Sequence, residues 1–354
     1  MDTRAEPVGS ATRHEILTQT TAWSQALAVV GERANELREL WTNGDYTNVL
    51  FAGCGSTYYL ALAAAALFQK LTGTLARGVP AGELVMYPAT AYAAAERTLL
   101  VAVSRSAETT ETLRATQSFL RNQRSAVIVV TNYGERPLAK MGTVTIAIPA
   151  GQEESIAQTR SFSSMYVATV AMAATLAQRQ DLVQSMQSLP KAGCRLVQEY
   201  EGLVKSLGGD LDLDRFYFLG SGPRYGLACE VNLKMKEMSL THSEPFHFLE
   251  FRHGPKSMAG PSTLVIGLLS DANRSYEAAV LKEVQQLGAR TLALGECPSA
   301  GEMDVDVALS SRLPEPTRNV LYLPLLQLMA YHRALTKGLN PDQPHNLDAV
   351  VTLE

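Results

Sequence analysis

Three groups of side chains in this sequence are of the kinds that move protons or hold anions. The first lies in ACEVNLKMKEMSLTH (residues 228–242), where Glu230, Lys234, Glu237 and Thr241 recur at spacings of four, three and four. On a helix these positions form one polar stripe. A surface salt-bridge ladder has the same pattern, and so does a carboxylate base with a cationic neighbour. The second is His253 in EFRHGPK (250–256), which precedes Gly-Pro and so lies on a loop rather than on an apolar helix face. The third is AVSRSAETTETL (102–113), which carries Ser104, Ser106, Thr109, Thr110 and Thr112 between an apolar run and a helical pattern.

Those groups need a frame, and the apolar pattern supplies one. The runs NVLFAG (48–53), LLVAVS (99–104), AVIVVT (126–131) and TVTIAI (143–148) alternate with longer Ala/Leu-rich stretches, one of which, LALAAAALF (60–68), reads as a buried helix. Near-continuous apolar strands separated by helices predict a parallel sheet covered on both faces. The series then repeats as FYFLG (216–220), TLVIGLLS (263–270), RTLALG (290–295) and VDVALS (305–310), and GCGSTYYLA (53–61) aligns with GSGPRYGLA (220–228) as G-x-G-x-x-Y-x-L-A. Self-similarity at that range predicts two tandem α/β units from an internal duplication. An amphipathic helical stretch (13–42) precedes them. A helical stretch over 161–207, interrupted at Pro190 and Gly193, joins them, and an apolar helix (321–335) and a Pro-containing tail follow.

In such sheets ligands sit beyond the carboxyl ends of the strands, where helix N-termini offer unpaired N–H groups to an anion. The loop with Ser104, Ser106 and Thr109 is expected there and reads as a phosphate cradle; Ser106 as a helix N-cap is the plainer alternative. The second copy has only Ser270 and Asn273 at the matching places. A dinucleotide fingerprint is not met, because Tyr58 and Tyr225 stand where the third glycine belongs, and Gly73 and Thr74 where a ribose-binding acid belongs. Glycines that merely permit a tight turn remain an equal reading for Gly220 and Gly222.

The bulk properties exclude broad classes. Over 354 residues the formal charge is -4 with 19% charged residues, which argues against nucleic acid or an anionic membrane as partner. No apolar run is long enough to span a bilayer, and the opening MDTRAEPVGSATRHE has no signal-peptide core, so a cytoplasmic protein is expected. Four scattered cysteines, Cys54, Cys194, Cys229 and Cys297, read as reduced thiols; neither a metal nor a cofactor is expected.

GCGST, SRSAETTETL, EESIAQTRSF, LGSGPRYGLACEVNLKMKEMS, EFRHGP and the terminal NLDAVVTLE, in that order, resemble the tandem sugar isomerase (SIS) family, and in particular the isomerase half of glucosamine-6-phosphate synthase. The resemblance covers residues 15–354. It implies two flavodoxin-like αβα sandwiches: a helical segment (1–45), a first SIS domain that binds phosphate (46–190), a second that carries the catalytic helix and loop (191–340), and a tail over the active site (341–354). Position by position, it implies phosphate contacts at Ser104, Arg105, Ser106, Thr109 and Thr57. It implies sugar-lining roles for Gly55, Ser56, Ile156, Ala157 and the tail residue Ala349. It also implies a homodimer whose active site is completed by His253 of a second subunit.

By the same resemblance Glu237 moves a proton between C1 and C2 of an open-chain sugar. One base must reach both carbons through a planar enediol or enolamine, and a carboxylate fits. Lys234 raises the positive potential beside the developing enolate and keeps Glu237 ionised. His253 can protonate a ring oxygen and accept a proton from the anomeric hydroxyl; His14, His242, His247 and His332 have weaker claims. The sequence departs from the synthases in two places: Arg105 stands at a usual glutamine, and Ala349 at the tail lysine that forms an imine with keto sugars. A chain beginning MDTRA is also expected to lack the glutaminase domain. The expected function is therefore a deaminating phosphosugar isomerase acting on an aminosugar phosphate such as glucosamine-6-phosphate. The rivals are a deglycase for sugar-phosphate amino-acid adducts and a non-catalytic sugar-phosphate sensor.

Overall fold

The computed structural model describes residues 7–92, 97–123, 125–297 and 301–351. Helices α1 (Ser10–Glu32) and α2 (Ala34–Gly44) precede β1 (Asn48–Gly53), α3 (Ser56–Thr72), β2 (Leu75–Pro80), the short α4 (Ala81–Met86) and α5 (Pro88–Ala91), β3 (Thr98–Ser104), α6 (Thr110–Gln123), β4 (Val127–Thr131) and β5 (Val144–Ala147). Helices α7 (Arg160–Leu176), α8 (Gln180–Met186) and α9 (Leu189–Gly209) lead to β6 (Arg215–Leu219), α10 (Pro223–Ser239), β7 (His242–Phe246), α11 (Phe248–Phe251), β8 (Thr263–Leu268), α12 (Arg274–Gln286), β9 (Arg290–Gly295), β10 (Val305–Ala308), α13 (Glu315–Arg318) and α14 (Tyr322–Thr336).

Each half folds around a five-stranded, all-parallel sheet, and the two strand orders, β2-β1-β3-β4-β5 and β7-β6-β8-β9-β10, are the same order repeated. This is the flavodoxin-like order, whose ligand crevice opens where the winding reverses, between β1 and β3 in one half and between β6 and β8 in the other. Every residue of β1, β3 and β4 is buried, as two-sided coverage requires. The fifth strand of each sheet, β2 or β7, escaped the sequence pattern because it is an edge. LARGVP is largely exposed or half-buried, HSEPF is polar, and each contains a proline, which an edge tolerates.

The connecting helices differ from the pattern for a local reason. Pro190 sits in the first turn of α9, where its missing N–H costs nothing, and Gly193 lies inside that helix, where a Cβ would come within 2.6 Å of the Trp23 ring. The chain breaks earlier, around Gln178, which takes a left-handed φ of 57°. Helix α9 thus runs through the domain division expected at 190.

The two halves meet along α3 and α10. Glycine is required at 226, since a Cβ there would lie 2.4 Å from the Tyr59 carbonyl oxygen and 2.5 Å from the Ala63 nitrogen. Gly226 lies against Tyr59 and Ala63 while Lys234, two turns on, reaches Ser56, so the helices run antiparallel. Among the described residues no helix is long and apolar enough to cross a membrane.

Candidate active site

The first glycine loop leaves β1 at the switch point. Gly55 has φ 54°, and a Cβ on Gly53 would lie 2.6 Å from Thr57, so the turn is as tight as the chain allows. Thr57 builds it: its hydroxyl donates to the Cys54 carbonyl at 2.9 Å and accepts the Cys54 N–H at 2.8 Å. Ser56, beside it, turns its hydroxyl to the other half of the molecule.

The hydroxyl loop leaves β3 on the far side of the same crevice. The Ser104 Oγ accepts the Ala107 N–H at 3.1 Å and the Ser106 Oγ accepts the Glu108 N–H at 3.2 Å, with Ala107 held at φ 54°. Capping and anion binding are not exclusive here. A cap uses the oxygen as acceptor, and the hydroxyl proton is still there to donate. Ser106 and Thr109 are half-buried at the N-terminus of α6, whose first amides have no partner within the helix.

Across the crevice stand the two carboxylates and the ammonium of α10. Lys234 is fully buried; its Nζ donates to Glu237 Oε1, donates to Ser56 Oγ at 3.1 Å and lies 3.2 Å from Glu230 Oε1. Burial works against the charge of Lys234, but the two carboxylates more than offset it and hold the ammonium above its usual range. Glu230, equally buried, is pushed up to about 7 by desolvation first, with Lys234 opposing and Glu237 adding to the rise. The side chain of Glu237 is 12% exposed, so of the three it is the one that reaches the crevice.

The stripe therefore holds as far as Glu237. Thr241 does not belong to it: α10 ends at Ser239, Leu240 takes φ 48°, and Thr241 turns back onto Ser239 and Arg333. The reason these residues reach a ligand site also differs from the sequence expectation. The N-terminus of α10 starts at the second glycine loop, about 16 Å of helix away from Lys234. Antiparallel packing of α10 on α3 carries its C-terminal half to the first glycine loop instead.

Arg105 is buried between two segments. Its guanidinium donates to the carbonyls of Ile156 at 2.8 Å, Ser155 at 3.4 Å and Ala349 at 2.6 Å, and lies 3.9 Å from Glu153 Oε2. The 153–157 loop is held from behind by the buried Glu15 of α1, which accepts the Glu154 and Ser155 N–H groups at 2.6 and 3.2 Å and the Ser155 hydroxyl. Burial, and next the charge of Glu153, raise the pKa of Glu15. Ala157 is buried and Ile156 half-buried, while Ala349 is exposed at the rim of a cavity of about 140 Å³ that Arg105, Ser106 and Ser155 also line. The tail is described as far as Val351, and residues 352–354 lie outside the described residues.

His253 is exposed on the turn after α11, and among the described residues its side chain makes no hydrogen bond or ion pair with Glu237, Lys234 or the cradle. His247 stacks on Tyr225 at 3.8 Å between ring centroids, and His332 is buried in α14. Sequence reasoning missed Glu15, Glu153 and Asp342. Glu153 gathers the Thr159 N–H and hydroxyl, each at 2.7 Å, at the N-terminus of α7, a signal that EExxxxT spacing does not advertise. The partners of Glu15 and Asp342 lie more than a hundred residues away in sequence.

Comparison with known proteins accounts for this arrangement. Residues 45–175 and 212–333 each match the SIS domain, one stretch per sheet. The chain belongs to the SIS domain family. The chain is 27% identical over 343 residues to the isomerizing glutamine–fructose-6-phosphate aminotransferase of Methanothermobacter thermautotrophicus, covering 94% of this chain and 55% of that protein. It is 31% identical over 258 residues to the same-named protein of Sulfurisphaera tokodaii, covering 72% of this chain and 42% of that one. The chain thus spans about half the length of the curated relatives it matches. Among solved structures, tagatose-6-phosphate ketose/aldose isomerase from Escherichia coli superposes with a TM-score of 0.86 at 21% identity, over 94% of this chain and 95% of that one. Glucosamine-6-phosphate deaminase from Thermotoga maritima gives 0.73 at 29% identity, over 93% of this chain and 100% of that one. The expected tandem SIS architecture is the one observed.

Proposed function

We propose that the chain is a deaminating phosphosugar isomerase that converts an aminosugar phosphate, glucosamine-6-phosphate or a close relative, to ketose phosphate and ammonia. One observation carries the reading: the slightly exposed carboxylate of Glu237 is paired with the buried ammonium of Lys234, which donates to Ser56 at the first glycine loop, the loop that shares the β1–β3 switch point with the hydroxyl-lined loop after β3. The likeness to a glucosamine-6-phosphate deaminase over nearly the whole chain supports it.

In this reading the phosphate sits on the protons of Ser104, Ser106 and Thr109 and the first amides of α6, which leaves the other end of the open-chain sugar facing α10. Glu237 removes the proton from C2 of the aldose and returns it to C1. The C2 enolamine thereby becomes a ketimine, and water adds at C2 as ammonia leaves. Lys234 stabilises charge building on the C1 oxygen, and Ser56 fixes the direction of its ammonium. Ala349 places a methyl group where an amine would be needed to capture the keto product covalently. Ring opening falls to His253, whose exposed position has no link to Glu237 within one chain, so a second copy supplies it and the working unit is a homodimer.

The test is to incubate the purified protein with glucosamine-6-phosphate and measure ammonia and fructose-6-phosphate together. Equal release by the wild type and none by Glu237→Gln is expected; binding with no turnover on any aminosugar phosphate overturns the reading in favour of a sensor. The dimer has its own test. Mixing and re-associating inactive Glu237→Gln and His253→Asn subunits should restore about a quarter of wild-type activity, because half the dimers are then mixed and each holds one intact site. No recovery would place both groups in one subunit.

A further inference from the structure

The family resemblance implies a phosphate contact for Arg105, and in this structure its guanidinium donates to main-chain carbonyls. A planar guanidinium offers five donors in a fixed fork, and three contacts here end on main-chain carbonyls from two segments, the 153–157 loop and the tail. The Ile156 peptide is gripped on both sides, its C=O by Arg105 and its N–H by the Asp342 carbonyl at 3.1 Å. Asp342 is itself fixed, because its carboxylate caps α1 through the Gly9 N–H at 3.1 Å, the Thr12 N–H at 2.8 Å and the Thr12 hydroxyl at 2.7 Å. The tail therefore has two anchors of unequal kind. Asp342 is tied by four hydrogen bonds to a long helix and to the 153–157 loop. Ala349 is tied by one bond to Arg105, and 345–349 between them is exposed.

We propose that Arg105 is a positioning residue, the latch that closes the C-terminal tail onto the 153–157 loop, so that cradle, loop and tail bind the sugar phosphate as one body. The inference rests on the reading of 104–109 as the phosphate cradle, since Arg105 is flanked in the chain by two of its donors. Its chemistry explains the residue type. The two donors of a glutamine amide cannot serve three carbonyls, and a lysine's point charge cannot span them. A buried guanidinium whose nearest carboxylate is 3.9 Å away also needs those carbonyls to replace water. Opening the latch frees 345–351 while the hinge at Asp342 stays in place.

The experiment is amide hydrogen exchange read by mass spectrometry on the full chain, with inorganic phosphate as the probe. In Arg105→Met and Arg105→Gln, exchange over 345–351 should rise at least tenfold with the β1 and β3 amides unchanged, and phosphate affinity should stay within threefold of wild type. Arg105→Lys should not rescue the tail. If the Met variant does not fold, deletion of 349–354 removes the acceptor with Arg105 intact; exchange over 345–348 should then rise while the Ile156 amide, held by Asp342, stays protected. Unchanged tail exchange in the variants overturns the latch. So does a more than tenfold loss of phosphate affinity in Arg105→Met, which would make Arg105 a phosphate ligand. If wild type binds no phosphate, the cradle reading falls and tail exchange alone decides the latch.

Discussion

The two halves of this molecule have one topology and opposite contents at the same place. In the first half the strand that ends at Ser104 delivers a loop of hydroxyls, and the helix face opposite carries Glu230, Lys234 and Glu237. In the second half Ser270 matches Ser104 and its Oγ accepts the Asn273 N–H at 3.0 Å, just as Ser104 accepts from Ala107 three residues on. There the resemblance stops. Glu277 of α12 bends back to accept the Ser270 N–H and hydroxyl, and Arg224, at the position of Thr57, reaches Glu315 Oε1 at 2.7 Å and Glu277 Oε1 at 3.7 Å. Glu315 in turn takes the Asp271 N–H at 3.0 Å. The second crevice is filled by the protein's own carboxylates, held where the first would hold a phosphate. On α3 the positions matching Glu230, Lys234 and Glu237 are Ala63, Leu67 and Lys70, which carry no base. Duplication supplied two crevices, and side-chain identity left one of them open.

The comparison can be broken most sharply at Glu237. Its replacement by Gln should lower turnover of an aminosugar phosphate by about 10²–10⁴-fold with the fold intact, as loss of a general base does, read by ammonia release and circular dichroism. In the second half the expected effect is on stability instead. Arg224→Met leaves Glu277 and Glu315 facing each other in a buried site, and chemical denaturation should show a loss of about 3–5 kcal/mol with kcat unchanged. The helix pair that serves both halves comes next: Gly226→Ala drives a methyl into the Tyr59 and Ala63 backbone and should cost about 1–3 kcal/mol of stability and lower kcat, because separating α3 from α10 moves Lys234 off Ser56. The smallest effect is one of pH. Glu230, with an ordinary value of 4.5, is pushed up to about 7 when folded, so the folded state keeps a proton that the unfolded state has lost between those values, and stability falls as pH rises through that window. Glu230→Gln should flatten the fall without abolishing it, since buried Glu15 and Glu277 are raised too; a slope unchanged in urea midpoints would mean Glu230 is ionised throughout.

How much of this was legible in the sequence depended on the range of the physical effect. The central strands were legible because two-sided burial writes itself as continuous apolar runs. Edges β2 and β7 were not, because one exposed flank makes LARGVP and HSEPF look like loops. The stripe from Glu230 to Glu237 was readable from helical spacing, but what it faced was not. That depends on α10 crossing α3 antiparallel, which a glycine at 226 permits and no local pattern announces. The contacts of Arg105 were not legible: the resemblance implies a phosphate contact there, and no local pattern announces the carbonyls of Ile156 and Ala349, fifty-one and 244 residues away, that take its donors.

The most direct measurement is a crystal structure of the Glu237→Gln protein soaked with glucosamine-6-phosphate. The account predicts phosphorus within hydrogen-bonding reach of Ser104, Ser106 and Thr109, C1 and C2 about 3–3.5 Å from the residue-237 side chain, and no ligand at Ser270. A sugar whose phosphate lies elsewhere, or whose first two carbons lie far from position 237, would contradict it.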